Sequence, residues 1–101
     1  MLKIDRLEKG REVHFILKGE LDMSTGPILD DLLQKEKLTS GKKLVFSLTQ
    51  LDFIDSTGIG QLIRYYREYT SQNIDLEIFN ENADIEEILE LIGVRQIIKN
   101  K

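Results

Sequence analysis

Apolar side chains alternate with other residues in two short stretches at the start of the chain. The apolar positions are Leu2, Ile4 and Leu7 in the first stretch and Val13, Phe15 and Leu17 in the second. A spacing close to two residues puts such side chains on one face of a β-strand. The polar segment 8–11 between the stretches contains Gly10, so we predict that the two strands form a hairpin.

Three further apolar runs predict strands in the rest of the chain. Residues 44–48 are nearly all apolar, as expected for a central strand that is covered on both faces. Residues 74–79 alternate between apolar and other side chains and predict another strand. Residues 94–98 predict a last short strand.

Apolar residues three or four positions apart mark three helical segments between these strands. The first begins near Pro27, the only proline, which fits the first turn of a helix because its missing N–H costs little there. The second covers residues 57–71. The third covers residues 84–92, where Asp84 opens a capping-box pattern and Gly93 is a candidate C-terminal cap. Its predicted buried positions are Ile85, Ile88, Leu89 and Ile92.

The second helix is predicted to bury one face and to expose the other. The predicted buried positions are Ile59, Leu62, Ile63, Tyr66 and Tyr69, and the predicted exposed positions are Gln61, Arg64, Tyr65 and Glu68. An exposed tyrosine beside an arginine is the kind of pair that anchors protein interfaces. Arg64 and Tyr65 are therefore candidate contact residues.

These elements follow one another in the order β-β-α-β-α-β-α-(β), with the last strand optional. The order predicts an α/β fold, a mixed β-sheet with packed helices. The strand–helix–strand units are predicted to be right-handed crossovers. Because 101 residues are enough for one hydrophobic core, residues 1–101 are predicted to form a single domain.

Composition narrows the range of functions. The formal net charge of −4 argues against general nucleic-acid binding, which needs a basic surface. The absence of cysteine excludes disulfides and thiolate metal sites. Neither a membrane-spanning apolar run nor a signal-like N-terminus is present, so we expect a cytoplasmic protein without a membrane partner.

The most informative motif lies where the run 44–48 and a short loop give way to the second helix. Its sequence is Asp55-Ser56-Thr57-Gly58-Ile59-Gly60. A hydroxyl at a helix N-terminus is accessible, and the unpaired N–H groups and the helix dipole there favour a phosphate. A kinase acting on Ser56 would add about two negative charges without breaking the fold. The motif therefore favours a surface switch over a catalytic centre.

Two simpler interpretations of this motif remain open. Ser56 could serve only as the N-cap of the helix, although Asp55 and Thr57 compete for that role. Gly58 and Gly60 are poor helix formers. Small residues at these two positions fit either the close approach of a partner or tight packing of the helix on the sheet.

Catalysis, cofactors and metals find little support in the sequence. A nucleophile elbow needs a glycine where Ile54 stands, and the only histidine, His14, is predicted to face solvent. A dinucleotide fingerprint needs a third glycine where Ile63 stands. The acidic pairs Asp30-Asp31 and Glu86-Glu87 are interpreted as solvated helix faces rather than metal ligands. We therefore predict no enzyme activity, no cofactor and no bound metal.

Four segments carry a resemblance to a known family. They are Gly19-Glu20-Leu21-Asp22, residues 44–48, residues 51–60 with the Asp-Ser-Thr-Gly-Ile-Gly motif, and residues 88–94. The chain resembles the STAS domain over essentially its whole length, and more narrowly the single-domain bacterial anti-sigma factor antagonists. The resemblance implies a mixed β-sheet with flanking helices, in agreement with the prediction from periodicity.

The resemblance also implies a partner-switching cycle in transcription regulation. The unphosphorylated protein would bind an anti-sigma factor that is a serine/threonine kinase, and this binding would release a sigma factor. The kinase would phosphorylate Ser56, with Thr57 as the second choice, and a serine phosphatase would restore the active form. In this cycle the protein is a phosphoprotein and a ligand, not an enzyme.

Residues around this motif are predicted to bind the partner. They are Asp22, Asp55, Ser56, Thr57, Gly58, Gly60, Gln61, Arg64 and Tyr65. The alternative is a constitutive STAS adaptor subunit of another complex, such as a stress-sensing scaffold or a phospholipid-transport assembly. In that alternative Ser56 only caps its helix.

Overall fold

The computed structural model describes residues 1–98, and within them it contains four strands and four helices. The strands are β1 (Leu2–Lys9), β2 (Glu12–Leu21), β3 (Lys43–Ile54) and β4 (Asp75–Phe79). The helices are α1 (Gly26–Gln34), α2 (Ser56–Thr70), α3 (Ala83–Ile92) and α4 (Val94–Ile97). The predicted order is confirmed from the first strand to the third helix.

The four strands form one sheet in the order β1-β2-β3-β4. Strands β1 and β2 pair antiparallel through the predicted hairpin, in which Gly10 has a positive φ of 57°. Strands β2 and β3 are parallel, as are β3 and β4, with α1 and α2 as their connections. The predicted mixed sheet is therefore confirmed.

Each helix buries part of its apolar side chains in one core against a single face of the sheet. That core joins Leu29, Leu33, Ile59, Leu62, Ile85, Leu89 and Val94 of the helices to Val13, Phe15, Leu17, Leu44, Phe46, Leu48, Leu76 and Ile78 of the strands. On the opposite face of β3, Val45 is buried outside this core, and its neighbours Ser47 and Thr49 are only half-buried. The prediction that β3 is covered on both faces was therefore wrong, because polar and charged side chains line its second face.

Helix α3 begins differently from the predicted capping box. Its N-cap is Asn82, not Asp84, and the Asn82 side-chain oxygen accepts hydrogen bonds from the backbone N–H groups of Asp84 at 3.0 Å and Ile85 at 3.2 Å. The same side chain donates through Nδ2 to the Leu51 carbonyl at 3.0 Å. An amide can both accept and donate, whereas a carboxylate only accepts, so asparagine fits this position.

The end of α3 confirms the predicted cap, confirms only part of the predicted buried face and corrects the predicted last strand. Gly93 ends the helix in the left-handed conformation, with φ 80° and ψ 26°. Ile85 and Leu89 are buried as predicted, but Ile88 is only half-buried and Ile92 is exposed. The predicted last strand over residues 94–98 is instead helix α4, because Val94 and Ile98 are both buried at a helical spacing and the Ile98 N–H donates to the Val94 carbonyl at 2.8 Å.

Candidate functional site

The ends of the two parallel strands β2 and β3 bring two distant segments together. Leu21 pairs with Ile54 at the last position of both strands, and the Asp55 N–H donates to the Leu21 carbonyl at 3.3 Å. The turn that follows β2 therefore lies beside the start of α2. Asp22 and the Asp55–Gly60 motif, which are far apart in sequence, are neighbours in the fold.

Asp55, not Ser56, caps helix α2. The Asp55 backbone is extended, with φ −106° and ψ −178°, and its Oδ1 accepts a hydrogen bond from the Gly58 N–H at 2.8 Å. Ser56 is the first residue of the helix and is exposed, as is Thr57. The interpretation of Ser56 as only a helix cap was therefore wrong, and its hydroxyl is available to another molecule.

Substitution of these two neighbours by alanine should separate capping from the switch. Asp55→Ala should lower the free energy of unfolding by about 1 kcal/mol, since it removes the N-cap. Ser56→Ala should change that free energy by less than about 0.5 kcal/mol, since it removes an exposed hydroxyl without a capping role. Urea unfolding followed by circular dichroism measures both values. The reverse ranking would return the capping role to Ser56.

The turn after β2 holds its own carboxylate in a fixed position. Asp22 Oδ1 accepts hydrogen bonds from the Ser24 N–H at 2.9 Å, the Ser24 hydroxyl at 2.8 Å and the Thr25 N–H at 3.1 Å. The hydrogen bond from the Ser24 hydroxyl is the main cause that lowers the pKa of Asp22. The backbone N–H groups of Thr25 and Ser24 lower this pKa further, whereas partial burial raises it. Asp22 is therefore a charged group whose position is set by the turn.

The two glycines of the motif occupy opposite environments. Gly58 is buried, and a Cβ placed there would come within 2.6 Å of the Leu21 carbonyl oxygen and 3.1 Å of Ile54. Gly60 is exposed, and a Cβ there would meet no atom within 4 Å among the described residues. Packing on the sheet therefore explains Gly58, whereas nothing inside the described fold requires a glycine at position 60.

A groove of about 330 Å³ lies between the N-terminal halves of α1 and α2. Its lining residues are Asp22, Met23, Gly26, Pro27, Asp30, Thr57, Gly60, Gln61 and Arg64. Five of the predicted partner-binding residues are among them, whereas Ser56 lies outside the groove on the same helix turn as Thr57. The sequence interpretation missed Met23, an apolar side chain that is 75% exposed at the groove wall.

Gln61 and Tyr65, which were predicted to be exposed contacts, are buried at 8% and 3% exposure. The Tyr65 hydroxyl donates to Asp30 Oδ1 on α1, and Gln61 Nε2 donates to the Tyr65 oxygen at 2.6 Å and to the Gly26 carbonyl at 2.9 Å. The prediction was wrong because α1 supplies acceptors that satisfy both polar groups. Burial, then the hydrogen bond to Asp30, raises the pKa of Tyr65.

Arg64 and Asp30 also belong to this network, and only Arg64 lies where it was predicted. Arg64 is on the exposed side of α2 as predicted, and it pairs with Asp30 at 2.9 Å. Its guanidinium also lies 5.2 Å from the centre of the Tyr65 ring. Asp30 was interpreted as part of a solvated face, but it receives donors from both Tyr65 and Arg64.

The geometry places the only histidine far from the motif. His14 lies on β2 and pairs with Glu12 at 2.9 Å. Seven residues of strand, roughly 23 Å at 3.3 Å per residue, separate His14 from Leu21 beside the site. Across residues 1–98, no three His, Asp or Glu side chains are grouped to hold a metal ion. In the same part of the chain, no helix has the length and apolar character to span a membrane.

Comparison with known proteins places these features in a family. The sequence model of the STAS domain matches residues 3–101. An anti-sigma-B factor antagonist of Listeria monocytogenes is 25% identical over 89 residues, which cover 88% of this chain and 78% of that protein.

Solved structures match the fold closely at low sequence identity. An anti-sigma factor antagonist from Mycobacterium paratuberculosis superposes with a TM-score of 0.85 and 18% identity, covering 98% of this chain and 84% of that one. The anti-sigma factor antagonist SpoIIAA in its unphosphorylated form gives a TM-score of 0.71 with 20% identity, covering 94% and 84% of the two chains. At these identities the structures establish the shared fold.

Proposed function

We propose that this chain, which belongs to the STAS domain family, acts as an anti-sigma factor antagonist that is switched by phosphorylation of Ser56. In its unphosphorylated form it binds an anti-sigma factor that is also a serine/threonine kinase, and so frees a sigma factor. Phosphorylation ends the binding, and a serine phosphatase restores it. The names of the relatives, such as the Listeria monocytogenes anti-sigma-B factor antagonist, support the first part of this cycle.

One observation carries the proposal: Ser56 is an exposed residue at the first turn of α2, and its hydroxyl makes no hydrogen bond to any of the residues 1–98. Asp55 already caps the helix, so a kinase that modifies Ser56 removes no capping interaction. The first N–H groups of the helix and its dipole tolerate an anion at this position. The fold can therefore accept the phosphate, and its effect falls on whatever contacts the site.

The surroundings of Ser56 favour a partner with basic and apolar groups. The hydrogen bonds to the Asp22 carboxylate all reach Oδ1, so Oδ2 has no hydrogen-bond partner among the described residues, and Asp22 lines the groove. An arginine or lysine of the partner would meet this fixed charge. Met23 offers an exposed apolar contact beside it, and Gly60 leaves room for close approach.

Ser56 suits the role of acceptor better than Thr57 does. Thr57 lines the groove together with Asp22, Asp30 and Arg64. Arg64 pairs with Asp30 at 2.9 Å, whereas no basic side chain of the described residues pairs with Asp22, so a phosphate on Thr57 would lie near an unpaired like charge, which raises its free energy. Ser56 lies outside the groove, so Thr57 is assigned to partner contact and Ser56 to phosphorylation.

Mass mapping of the phosphate tests this proposal directly. The protein is incubated with Mg-ATP and candidate anti-sigma factor kinases from the same genome, and intact and peptide masses are measured. We expect one added phosphate on Ser56, and Ser56→Ala should remain unmodified while still binding the kinase. Thr57→Ala is the matched control and should be phosphorylated at the wild-type position.

The other outcomes of this experiment are equally informative. A phosphate on Thr57 would keep the cycle and move the acceptor by one residue. A kinase that binds the protein and never phosphorylates it would instead support a constitutive STAS adaptor. Such an adaptor would bind its complex independently of ATP, which the same incubation without ATP measures.

A further inference from the structure

We propose that Gly26, Asp30, Gln61 and Tyr65 form a clip that positions the turn 22–25 for recognition by the kinase. This inference rests on the proposed function and adds positioning residues to it. The clip joins the first turn of α1 to the middle of α2 through side chains that do not reach Ser56. Its role is to set the distance between the two segments that the kinase must contact together.

The clip is a continuous chain of hydrogen bonds between the two helices. Gln61 Nε2 donates to the Gly26 carbonyl at 2.9 Å and to the Tyr65 oxygen at 2.6 Å, and the Tyr65 hydroxyl donates to Asp30. Every buried side-chain polar atom of the described residues has a partner. A fully satisfied buried network holds one arrangement of the helices, whereas apolar contacts alone permit several.

The glycine at position 26 leaves room for the Gln61 side chain of the clip. A Cβ at position 26 would come within 2.5 Å of Gln61 Oε1, so any larger residue would push the Gln61 amide away. This accounts for a glycine at the first position of α1, where Pro27 alone would set the backbone. The glycine is thus needed for the contact with α2 rather than for a special backbone angle.

A backbone hydrogen bond connects the clip to the recognition turn, residues 22–25. The Gly26 N–H donates to the Asp22 carbonyl at 2.9 Å, directly beside the carboxylate that faces the groove. The turn also has bonds of its own: the Thr25 hydroxyl does not cap α1, but it donates to the Glu20 carbonyl at 2.8 Å and accepts from the Asp22 N–H at 3.0 Å. The clip adds the tie from the start of α1 to α2, so its loss should increase the opening of the turn before it disturbs the core.

Tyr65→Phe tests the clip because it removes only the hydroxyl and keeps the buried ring. Tyr69→Phe is the matched control: its ring lies 6.3 Å from the Tyr65 ring, and its hydroxyl is not part of the clip. Amide hydrogen exchange of Ser24, Thr25 and Gly26 should be about fivefold faster in Tyr65→Phe than in Tyr69→Phe, because the substitution removes both the bond to Asp30 and the bond from Gln61. Gln61→Met is a second variant that breaks the clip by another route.

Phosphorylation kinetics then test the consequence for the kinase. Tyr65→Phe should raise the KM for Ser56 phosphorylation about fivefold and leave kcat unchanged, since the turn is loosened while Ser56 stays on α2. The increase should disappear in an Asp22→Ala background, because the turn then no longer contributes its carboxylate. A general loss of stability would raise KM equally in both backgrounds.

The outcomes separate the clip from the proposed function. Unchanged exchange at residues 24–26, or an unchanged KM, overturns the clip. The clip is also overturned if Tyr69→Phe changes the exchange or the KM as much as Tyr65→Phe does. If no kinase modifies the wild-type protein, the proposed function fails, and the clip fails with it as a determinant of recognition even if exchange at residues 24–26 responds.

Discussion

Phosphorylation of Ser56 is expected to weaken binding to the anti-sigma factor kinase by about a thousandfold, which corresponds to ~4 kcal/mol. The physical reason is desolvation: a partner pressed against the start of α2 would have to bury a dianion while its own basic group already pairs with Asp22, and the penalty for an unpaired buried charge can exceed this value. Isothermal titration calorimetry of the two forms measures the loss.

The same comparison distinguishes an effect at the interface from a change of fold. Circular dichroism and the melting temperature should be nearly the same for both forms, because the helix N-terminus tolerates the anion. Ser56→Asp should weaken binding less than the phosphate does, since it adds one charge with a shorter reach. Ser71→Asp adds the same charge at the C-cap of α2 and should leave affinity unchanged. A large structural change on phosphorylation would contradict this mechanism.

Gly58→Ala and Gly60→Ala are expected to change stability in opposite directions although they lie two residues apart. Gly58→Ala should lower the free energy of unfolding by about 2 kcal/mol, because its Cβ would collide with the Leu21 carbonyl. Gly60→Ala should raise it by up to ~1 kcal/mol, because alanine is the better helix former and its Cβ meets open space. Urea unfolding of the two variants measures both values.

Gly60→Ala, the more stable of the two variants, should bind the kinase more weakly than the wild-type protein does. If Gly60 is retained for close approach of the kinase, a methyl group there should reduce affinity about tenfold while the free protein gains stability. Each variant serves as the control for the other, since both replace glycine by alanine on one helix. Unchanged affinity of Gly60→Ala would remove position 60 from the binding surface.

The sequence was sufficient for the elements that depend on local pattern. Alternation in β1 and β2, the proline at the start of α1 and the glycine after α3 each act within a few residues, so their predictions agree with the structure. The α4 segment was misjudged because five residues fit a strand or a helical turn equally well. The burial of both Val94 and Ile98 decided between the two.

The errors at the site arose from contacts between distant segments. The helical spacing of the apolar residues predicted a buried Tyr66 and an exposed Tyr65, whereas Tyr65 is buried and Tyr66 is only half-buried. Tyr65 is buried because Asp30, which is 35 residues away, accepts its hydroxyl. Gln61 is buried for a similar reason, through the carbonyl of Gly26. A polar side chain is placed inside the fold by its partner, and the partner is not visible in the periodicity of its own helix.

The ends of β2 and β3 meet at Leu21 and Ile54, and this has a consequence for when Ser56 can be phosphorylated in the cell. The recognition turn and the acceptor are adjacent only after two strands distant in sequence have paired in parallel, which is a late event for a chain with such non-local contacts. A ribosome-bound intermediate, a proteolytic fragment or a short synthetic copy of the motif carries the serine without its surroundings. The kinase would thus recognise the folded tertiary structure rather than the linear sequence around Ser56.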